Sequence, residues 1–147
     1  MNSFKELDCK EFELCYEIDS STICLWTKKQ WKFEFNKIGV KVVAILFRKE
    51  IIGVYVVQIL IDEAHLNYFS IKQKYRQKGY GSCLMSFLIK QSEKLSLKKI
   101  LLEVSDKNSI AEVFYNKFKF LTVGRRKNYY KDGSDAVLKE KFLKIKN

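Results

Sequence analysis

The pattern of apolar residues changes twice between residues 65 and 105, and this segment constrains the fold more than any other. Residues 65–71 are typical of a β-strand, whereas residues 79–97 place leucine and phenylalanine at helical spacing. Residues 99–105 return to the alternation of a strand. A strand, a helix and a second strand in this order predict a parallel strand pair joined by a right-handed crossover.

The rest of the chain predicts further elements around this unit. The predicted helices cover residues 9–20, 27–36 and 109–119, and the further strands cover residues 40–47, 51–61, 120–129 and 135–142. Thr27 is a candidate N-cap, and Ser109 with Glu112 forms a capping-box pattern. We therefore predict an α/β fold with a mixed central sheet of about six or seven strands and helices on both faces. The length of 147 residues predicts a single domain over residues 1–147.

The composition restricts the class of protein. Hydrophobic residues make up 47% of the chain, which is enough to fill a core. The first residues are charged and no apolar run is long enough to span a bilayer, so we expect a cytoplasmic protein without membrane contact. Cysteines 9, 15, 24 and 83 are far apart and histidine occurs once. This spacing predicts no metal site and favours small core residues for the thiols.

The formal net charge of +11 allows two interpretations. One is a polyanionic partner such as nucleic acid, and the other is a surface solvated by lysines spread along the chain. Arginine occurs only four times, although sequence-specific readers of nucleic acid rely on it. We favour the solvated surface, expect no sequence-specific nucleic-acid binding, and expect a monomer or weak dimer.

A basic loop with two glycines connects the strand to the helix. In the sequence Arg76-Gln-Lys-Gly79-Tyr-Gly81, glycine lets backbone N–H groups approach an anion, and the helix N-terminus adds positive charge. The loop lacks the Gly-Lys-Ser/Thr of a Walker motif and the spacing of a dinucleotide fold. Taken alone, it is either an anion site or an ordinary strand-to-helix turn.

The spacing of Arg76, Gly79 and Gly81 resembles the acetyl-CoA signature of the GNAT superfamily of N-acetyltransferases. Residues 101–104, Asn108 and residues 114–120 are similar to the later motifs of that superfamily, in the expected order. Within the superfamily, residues 62–66 and 124–136 resemble RimI-type enzymes. That resemblance implies a GNAT fold and acetyl-CoA as cosubstrate. It also implies the N-terminal alanine of the eighteenth small-subunit ribosomal protein as acceptor.

The resemblance also implies a role for individual residues. Those expected to bind the cofactor are Phe69, Ser70, Ile71, Arg76, Gln77, Lys78, Gly79, Tyr80, Gly81, Ser82 and Asn108. Glu103 is expected to be the general base and Tyr115 the general acid. Tyr129 and Tyr130 are candidates for the acceptor groove, although packing on the sheet accounts for them equally well.

The chemistry of amine acetylation agrees with the two catalytic assignments. An α-amino group is mostly protonated at pH 7, so a carboxylate has to remove its proton before attack on a thioester. Glu103 is the only charged residue among residues 100–104 and alternates with the apolar ones. A phenol such as that of Tyr115 is protonated at neutral pH and can donate to the leaving thiolate. Alternatively, Glu103 is an exposed strand residue and Tyr115 a core aromatic.

Three positions depart from the family pattern. Lys119 stands where the family usually has glycine, Lys139 where it usually has methionine, and residues 71–73 replace a Val-x-Pro sequence. A lysine at position 119 adds strain if the backbone there has positive φ. The net charge of +11 also disfavours the basic acceptor of the family unless a locally acidic groove forms, for which Glu63, Glu103 and Asp135 are candidates.

Other functions therefore remain open. Within the class, the acceptor is another protein N-terminus, a lysine side chain or a small amine. Outside it, the chain is a non-catalytic module that binds CoA or docks on RNA through its lysines.

Overall fold

Seven strands form one mixed sheet in the computed structural model, which describes residues 2–144. The strands are β1 (Asn2–Leu7), β2 (Val40–Phe47), β3 (Glu50–Leu60), β4 (Glu63–Ile71), β5 (Lys99–Ser105), β6 (Leu121–Arg126) and β7 (Ala136–Phe142). The helices are α1 (Phe12–Ser20), α2 (Lys28–Phe35), α3 (Tyr80–Lys94) and α4 (Ser109–Lys117). The strand order is β1-β2-β3-β4-β5-β7-β6. The β4–β5 pair is parallel and the other pairs are antiparallel, so the predicted mixed α/β sheet is confirmed.

Helices pack on both faces of this sheet. Side chains alternate along a strand, so neighbouring residues of β2 enter different cores. Val42 packs with Cys15 of α1 and the fully buried Trp31 of α2. Val43 packs on the other face with Leu84 of α3. The two cores fix the sheet between α1 and α2 on one side and α3 and α4 on the other.

Strand β1 was not predicted from the sequence. It pairs with β2 at the edge of the sheet, and Phe4 stacks on Phe87 of α3 with ring centroids 4.1 Å apart. Only Phe4 and Leu7 are apolar among its six residues. Such a short edge strand gives too little alternation for sequence analysis to detect.

The two predicted helix starts have different outcomes. Thr27 is the N-cap of α2, as predicted, and its side chain also forms a capping box with Gln30. Helix α4 is capped by Asn108, whose Oδ1 accepts the N–H of Ala111. The predicted capping box beginning at Ser109 is therefore wrong, because the preceding asparagine already satisfies the free N–H group.

The backbone at Lys119 has positive φ, which is the conformation for which glycine is favoured. Its φ is +68°. The N–H of Phe120 donates to the carbonyl of Tyr115, and the N–H of Lys119 donates to that of Asn116. These two bonds form a Schellman motif, in which the C′ residue is left-handed and is usually glycine. The departure from the family pattern at this position thus carries the expected strain.

Lys139 is buried on β7 with 2% of its surface exposed. Its Nζ donates to Asn116 Oδ1 and to Thr122 Oγ1, both at 3.0 Å. These bonds partly replace the water that a lysine loses on burial, so the exchange of methionine for lysine is accommodated in the fold.

The prediction that the cysteines are core residues holds for one of the four. Cys15 is buried, whereas Cys9, Cys24 and Cys83 are exposed. Cys83 lies on the solvent side of α3 because the next residue, Leu84, occupies the face that packs on the sheet.

Candidate functional site

Strands β4 and β5 separate after a short parallel ladder. The ladder pairs residues 63–66 with residues 99–102. Residues 67–71 and 103–105 extend beyond it, and within residues 2–144 no β4–β5 pair follows. The separation begins at Asn67, where the register of β4 against β3 shifts by one residue. Such a bulge bends a strand, and here it opens the middle of the sheet.

The opening leaves the β5-facing edge of β4 without a partner strand. Phe69, Ser70 and Ile71 lie on this edge, and the side chains of Ser70 and Ile71 are buried. A free strand edge presents N–H and C=O groups that can pair with an extended ligand. The N–H and C=O groups that face this edge thus have no strand partner, which the pairing implied by the sequence resemblance requires, and the carbonyl of Ile71 accepts a hydrogen bond from Nε of Arg76.

A cleft of about 420 Å³ fills the space between the separated strands. Its predicted site residues are Phe69, Glu103, Asn108, Tyr115 and Tyr130. The other lining residues are Ile23, Leu25, Leu66, Asn67, Tyr68, Leu102, Val104, Ser105, Ala111, Asp132 and Ser134. The candidate base on β5 and the candidate acid on α4 therefore line the same cleft, although they belong to different elements.

Glu103 enters this cleft from β5. Its neighbours Leu102 and Val104 are buried on the opposite side, as the alternation predicts. About one third of the Glu103 side chain is exposed (33%), and its Oε1 lies 3.4 Å from Nε of Arg126. The carboxylate can therefore meet a cation that enters from solvent.

Tyr115 enters from α4 and is held by aromatic rings. Its ring contacts those of Phe114 and Phe120, with centroids 5.5 Å and 5.7 Å away. Burial raises the pKa of the Tyr115 phenol well above its usual range, and the neighbouring Tyr130 adds to the effect. The hydroxyl therefore stays protonated at neutral pH, which a proton donor requires.

Tyr130 is the second phenol of the cleft. Burial, followed by the charge of Glu103 and the proximity of Tyr129, raises the pKa of Tyr130 to about 12. Tyr129 itself is 52% exposed and does not line the cleft. Its ring lies against Tyr130 and below the Arg126 guanidinium, 5.7 Å from it. Of the two tyrosines predicted for the acceptor groove, the structure brings only Tyr130 to Glu103.

Asn108 lines the cleft at the start of α4. Its Oδ1 accepts the N–H of Ala111 at 3.1 Å as a helix cap. The cap uses the oxygen of the side chain and leaves its NH₂ group as a donor. This NH₂ group can donate the hydrogen bond to the cofactor that the resemblance implies.

The glycine loop lies at the N-terminus of α3, next to the open edge of β4. Gly79 is the N-cap with φ of +88°, and Gln77 also has positive φ (+60°). The N–H groups of Tyr80, Gly81 and Ser82 are in the first turn, where they have no intrahelical partner. Such a turn is suited to bind an anion.

Two cations flank this turn in different ways. The Nε of Arg76 donates to the carbonyl of Ile71 at 2.9 Å and fixes the loop to the end of β4. Lys117 of α4 places its Nζ 3.5 Å from Ser82 Oγ. The sequence analysis did not identify Lys117, because no local motif links it to a loop 35 residues away.

The lining of the cleft is acidic. It contains Glu103 and Asp132, and no lysine or arginine lines it within the described part of the chain. Asp132 accepts hydrogen bonds from Oγ and N of Ser134, and these bonds hold the pKa of its carboxyl below the usual range. Glu63 and Asp135, the other two candidates for an acidic groove, do not line it. They pair with Lys99 and Arg125 instead.

The loop that connects α1 to α2 forms part of the cleft wall. It contributes Ile23 and Leu25, which are 47% and 43% exposed and line the cleft opposite α4. These two residues were not identified from the sequence, because no local motif distinguishes them. The neighbouring Trp26 is half-buried against Trp31 and Tyr68.

Residues 2–144 show neither a cluster of metal ligands nor a membrane-spanning helix. No group of three or more His, Cys, Asp or Glu side chains is arranged to hold a metal ion. No helix in this part of the chain has the length and apolarity needed to cross a bilayer.

The chain is similar to known proteins in both sequence and structure. The model of the acetyltransferase (GNAT) family matches residues 2–120. The [ribosomal protein bS18]-alanine N-acetyltransferase of Haemophilus influenzae is 31% identical over 133 residues, which cover 88% of each chain. The crystal structure of the Escherichia coli ribosomal-protein-S18-alanine N-acetyltransferase has a TM-score of 0.92 and 23% identity. That match covers 100% of this chain and 97% of the other.

A second solved structure shares the fold at lower identity. Arabidopsis thaliana NAA60 in complex with acetyl-CoA has a TM-score of 0.85 and 17% identity, with 97% of this chain and 99% of that one covered. The family model spans most of the chain, and the open sheet, the glycine loop and the cleft agree with it. The resemblance found in the sequence is thus confirmed, and the chain belongs to the acetyltransferase (GNAT) family and is an acyltransferase.

Proposed function

We propose that this enzyme transfers acetyl from acetyl-CoA to the N-terminal alanine of ribosomal protein bS18. One observation supports the proposal above all. Glu103, Tyr115 and the free edge of β4 meet in one cleft, beside the N-terminus of α3. The names of the relatives supply the acceptor, since the H. influenzae protein is a bS18-alanine N-acetyltransferase.

The residues present fit acetyl-CoA. The first turn of α3 offers unpaired N–H groups and a positive helix end to the pyrophosphate, with Arg76, Gln77 and Lys78 beside it. The edge formed by residues 69–71 pairs with the pantetheine amides, and the NH₂ group of Asn108 donates a further hydrogen bond. Bound there, acetyl-CoA supplies an activated acetyl thioester.

The proton transfers follow from the two side chains in the cleft. Glu103 accepts a proton from the acceptor ammonium, directly or through water, which creates the neutral amine that attacks. Tyr115 donates its Oη proton to the sulfur that leaves, and its raised pKa keeps that proton available at neutral pH. The amine nitrogen loses a second proton as the C–N bond forms and the C–S bond breaks, and this proton returns to the Tyr115 phenolate, directly or through water. Thioester and ammonium thus become amide and thiol, Tyr115 is protonated again, and Glu103 holds the one net proton until solvent removes it.

The charge of the cleft supports a cationic acceptor. Glu103 and Asp132 are its only charged lining residues among residues 2–144. An incoming ammonium replaces the exposed guanidinium of Arg126 as the partner of Glu103, so the net charge of +11 does not repel the acceptor locally.

Mass spectrometry with purified enzyme, acetyl-CoA and a peptide of the bS18 N-terminus tests the acceptor. We expect one acetyl group on the α-amine and none on the same peptide with a blocked N-terminus. Activity only on lysine side chains or on small amines would replace the acceptor while keeping the enzyme class. CoA binding without any acetyl transfer would favour a non-catalytic module.

Substitutions test the two catalytic roles. We expect Glu103→Gln and Tyr115→Phe each to lower kcat by roughly 10²–10⁴-fold, the usual contribution of general acid–base catalysis. Glu17→Gln and Tyr16→Phe are matched controls on α1, outside the cleft, and should retain wild-type rates. Unchanged rates in the two cleft variants would refute these roles.

A further inference from the structure

A buried carboxylate lies under the loop that forms one wall of the cleft. Asp19, at the end of α1, has no exposed surface. It forms no ion pair within residues 2–144. Burying a carboxylate without a cation is costly unless hydrogen bonds replace its hydration. Hydrogen bonds therefore have to stabilise the buried carboxylate, and their donors show which parts of the chain it holds in place.

Three N–H groups compensate it, all at 2.9 Å. Oδ1 accepts the backbone N–H of Leu25, and Oδ2 accepts those of Trp26 and of the Trp31 indole. The backbone carbonyl of Asp19 also accepts the N–H of Cys24 at 2.7 Å. Residues 21–27 belong to no helix or strand, so their N–H groups have no regular partner. One side chain thus fixes the course of the loop.

The loop and its support both reach the acceptor cleft. Ile23 and Leu25 line the cleft directly. Trp26 and Trp31 pack on the ring of Tyr68, with centroids 5.5 Å and 4.8 Å away, and Tyr68 is also part of the lining. A shift of the Asp19 carboxylate would therefore displace both the loop residues and Tyr68. Among the described residues, Asp19 forms no hydrogen bond to the glycine loop or to the N-terminus of α3.

We propose that Asp19 is a positioning residue for the acceptor, which holds the apolar wall of Ile23 and Leu25 at the distance that orients the amine toward Glu103. The proposal rests on the proposed function, because it assumes that the cleft binds the acceptor. It assigns no step of the chemistry to Asp19. Asp19 bonds directly only to the loop and to Trp31 and reaches β4 through packing on Tyr68, whereas the acetyl-CoA contacts are backbone groups of β4 and α3, so its effect falls mainly on acceptor binding and orientation.

Steady-state kinetics of Asp19→Asn, with each substrate varied in turn, tests this role. The amide keeps the shape but replaces the charged acceptor with a neutral oxygen and an NH₂ group, which opposes at least one of the three donors. We expect KM for the bS18 peptide to rise about tenfold or more, since small misplacements in a site cost this much. KM for acetyl-CoA should stay within about twofold, and so should both constants in the control Glu17→Gln on the same helix.

Two further measurements keep the proposal testable. Trp31→Phe removes the indole N–H together with part of a fully buried ring, and it should raise the peptide KM while KM for acetyl-CoA stays within about twofold. Hydrogen exchange of the Leu25 and Trp26 amides should become faster in Asp19→Asn, which can be measured even if no acceptor is found. Equal changes in both KM values, or unchanged exchange of these amides, would overturn the proposal. Absence of acetyl transfer by the wild type would overturn the proposed function instead.

Discussion

Replacing Lys119 with glycine should stabilise the protein, although it removes a side chain. Lys119 has φ of +68° at the C′ position of α4, and its side chain is exposed. The left-handed conformation costs a residue with a Cβ about 1–2 kcal/mol. Glycine avoids that cost but loses about 0.5–1 kcal/mol more backbone entropy on folding. The net expectation is a gain of about 0.5–1 kcal/mol in the free energy of unfolding.

Urea and thermal unfolding followed by circular dichroism measure this gain. For a domain of this size, 1 kcal/mol corresponds to roughly 2–4 °C in Tm, so Lys119→Gly should raise Tm by about 1–4 °C. Lys119→Ala removes the same charge but keeps the Cβ, so its Tm should change little. Lys117→Gly lies two residues earlier in helical backbone and should lower stability by about 0.5–1 kcal/mol.

The comparison of these three variants separates backbone strain from side-chain effects. If Lys119→Ala stabilises as much as Lys119→Gly, the gain comes from removing a positive charge. If Lys119→Gly destabilises, the Schellman geometry at Phe120 and Asn116 does not carry the assumed strain, and the reasoning fails.

Two further predictions concern the fold around the site. Gly53→Ala should lower stability by about 1–3 kcal/mol, because the added Cβ would lie 2.7 Å from the Ser70 carbonyl on β4; urea unfolding checks this. Burial raises the pKa of Tyr55, Tyr68, Tyr115 and Tyr130, so in an absorbance titration at 295 nm they should ionise above the usual range of a phenol. Unfolding restores the ordinary phenol pKa of about 10, so the contribution of these tyrosines to stability should be constant below about pH 10 and fall above it. A flat Tm above pH 10 would contradict the burial.

The elements of the site that repeat a local pattern could be predicted from the sequence. The alternation around Glu103 places it opposite the core, and the glycine loop precedes an amphipathic helix, so both features are local. The open edge of β4, at which we propose that acetyl-CoA binds, depends on the separation of β4 from β5, which begins at the bulge at Asn67. No residue type marks that bulge, since it results from how two ladders compete for one strand. Its position therefore required the structure.

The lining of the cleft was unpredictable for a different reason. Leu25, Glu103 and Asp132 come from three segments that are more than 25 positions apart in the sequence and meet only in the folded chain. The burial of Asp19 could not be predicted either, because an aspartate at the end of a helix has the same local sequence pattern whether it is solvated or buried. Its role depends on the N–H groups of a loop that has no regular structure of its own.

The charge of the protein is distributed so unevenly that the net charge of the sequence does not describe the cleft. The net charge of +11 favours anions on average, but charges act on a bound ligand over about 8–10 Å in physiological salt. Lys117 and the loop from Arg76 place cations at the N-terminus of α3, where an anion fits. In the cleft, Glu103 and Asp132 are the charged lining residues, and Arg125 is neutralised by two aspartates. Under the proposed function, the cationic region would bind the anionic cofactor and the acidic cleft the ammonium of the acceptor, and their separation in space would allow a basic protein to bind a basic acceptor.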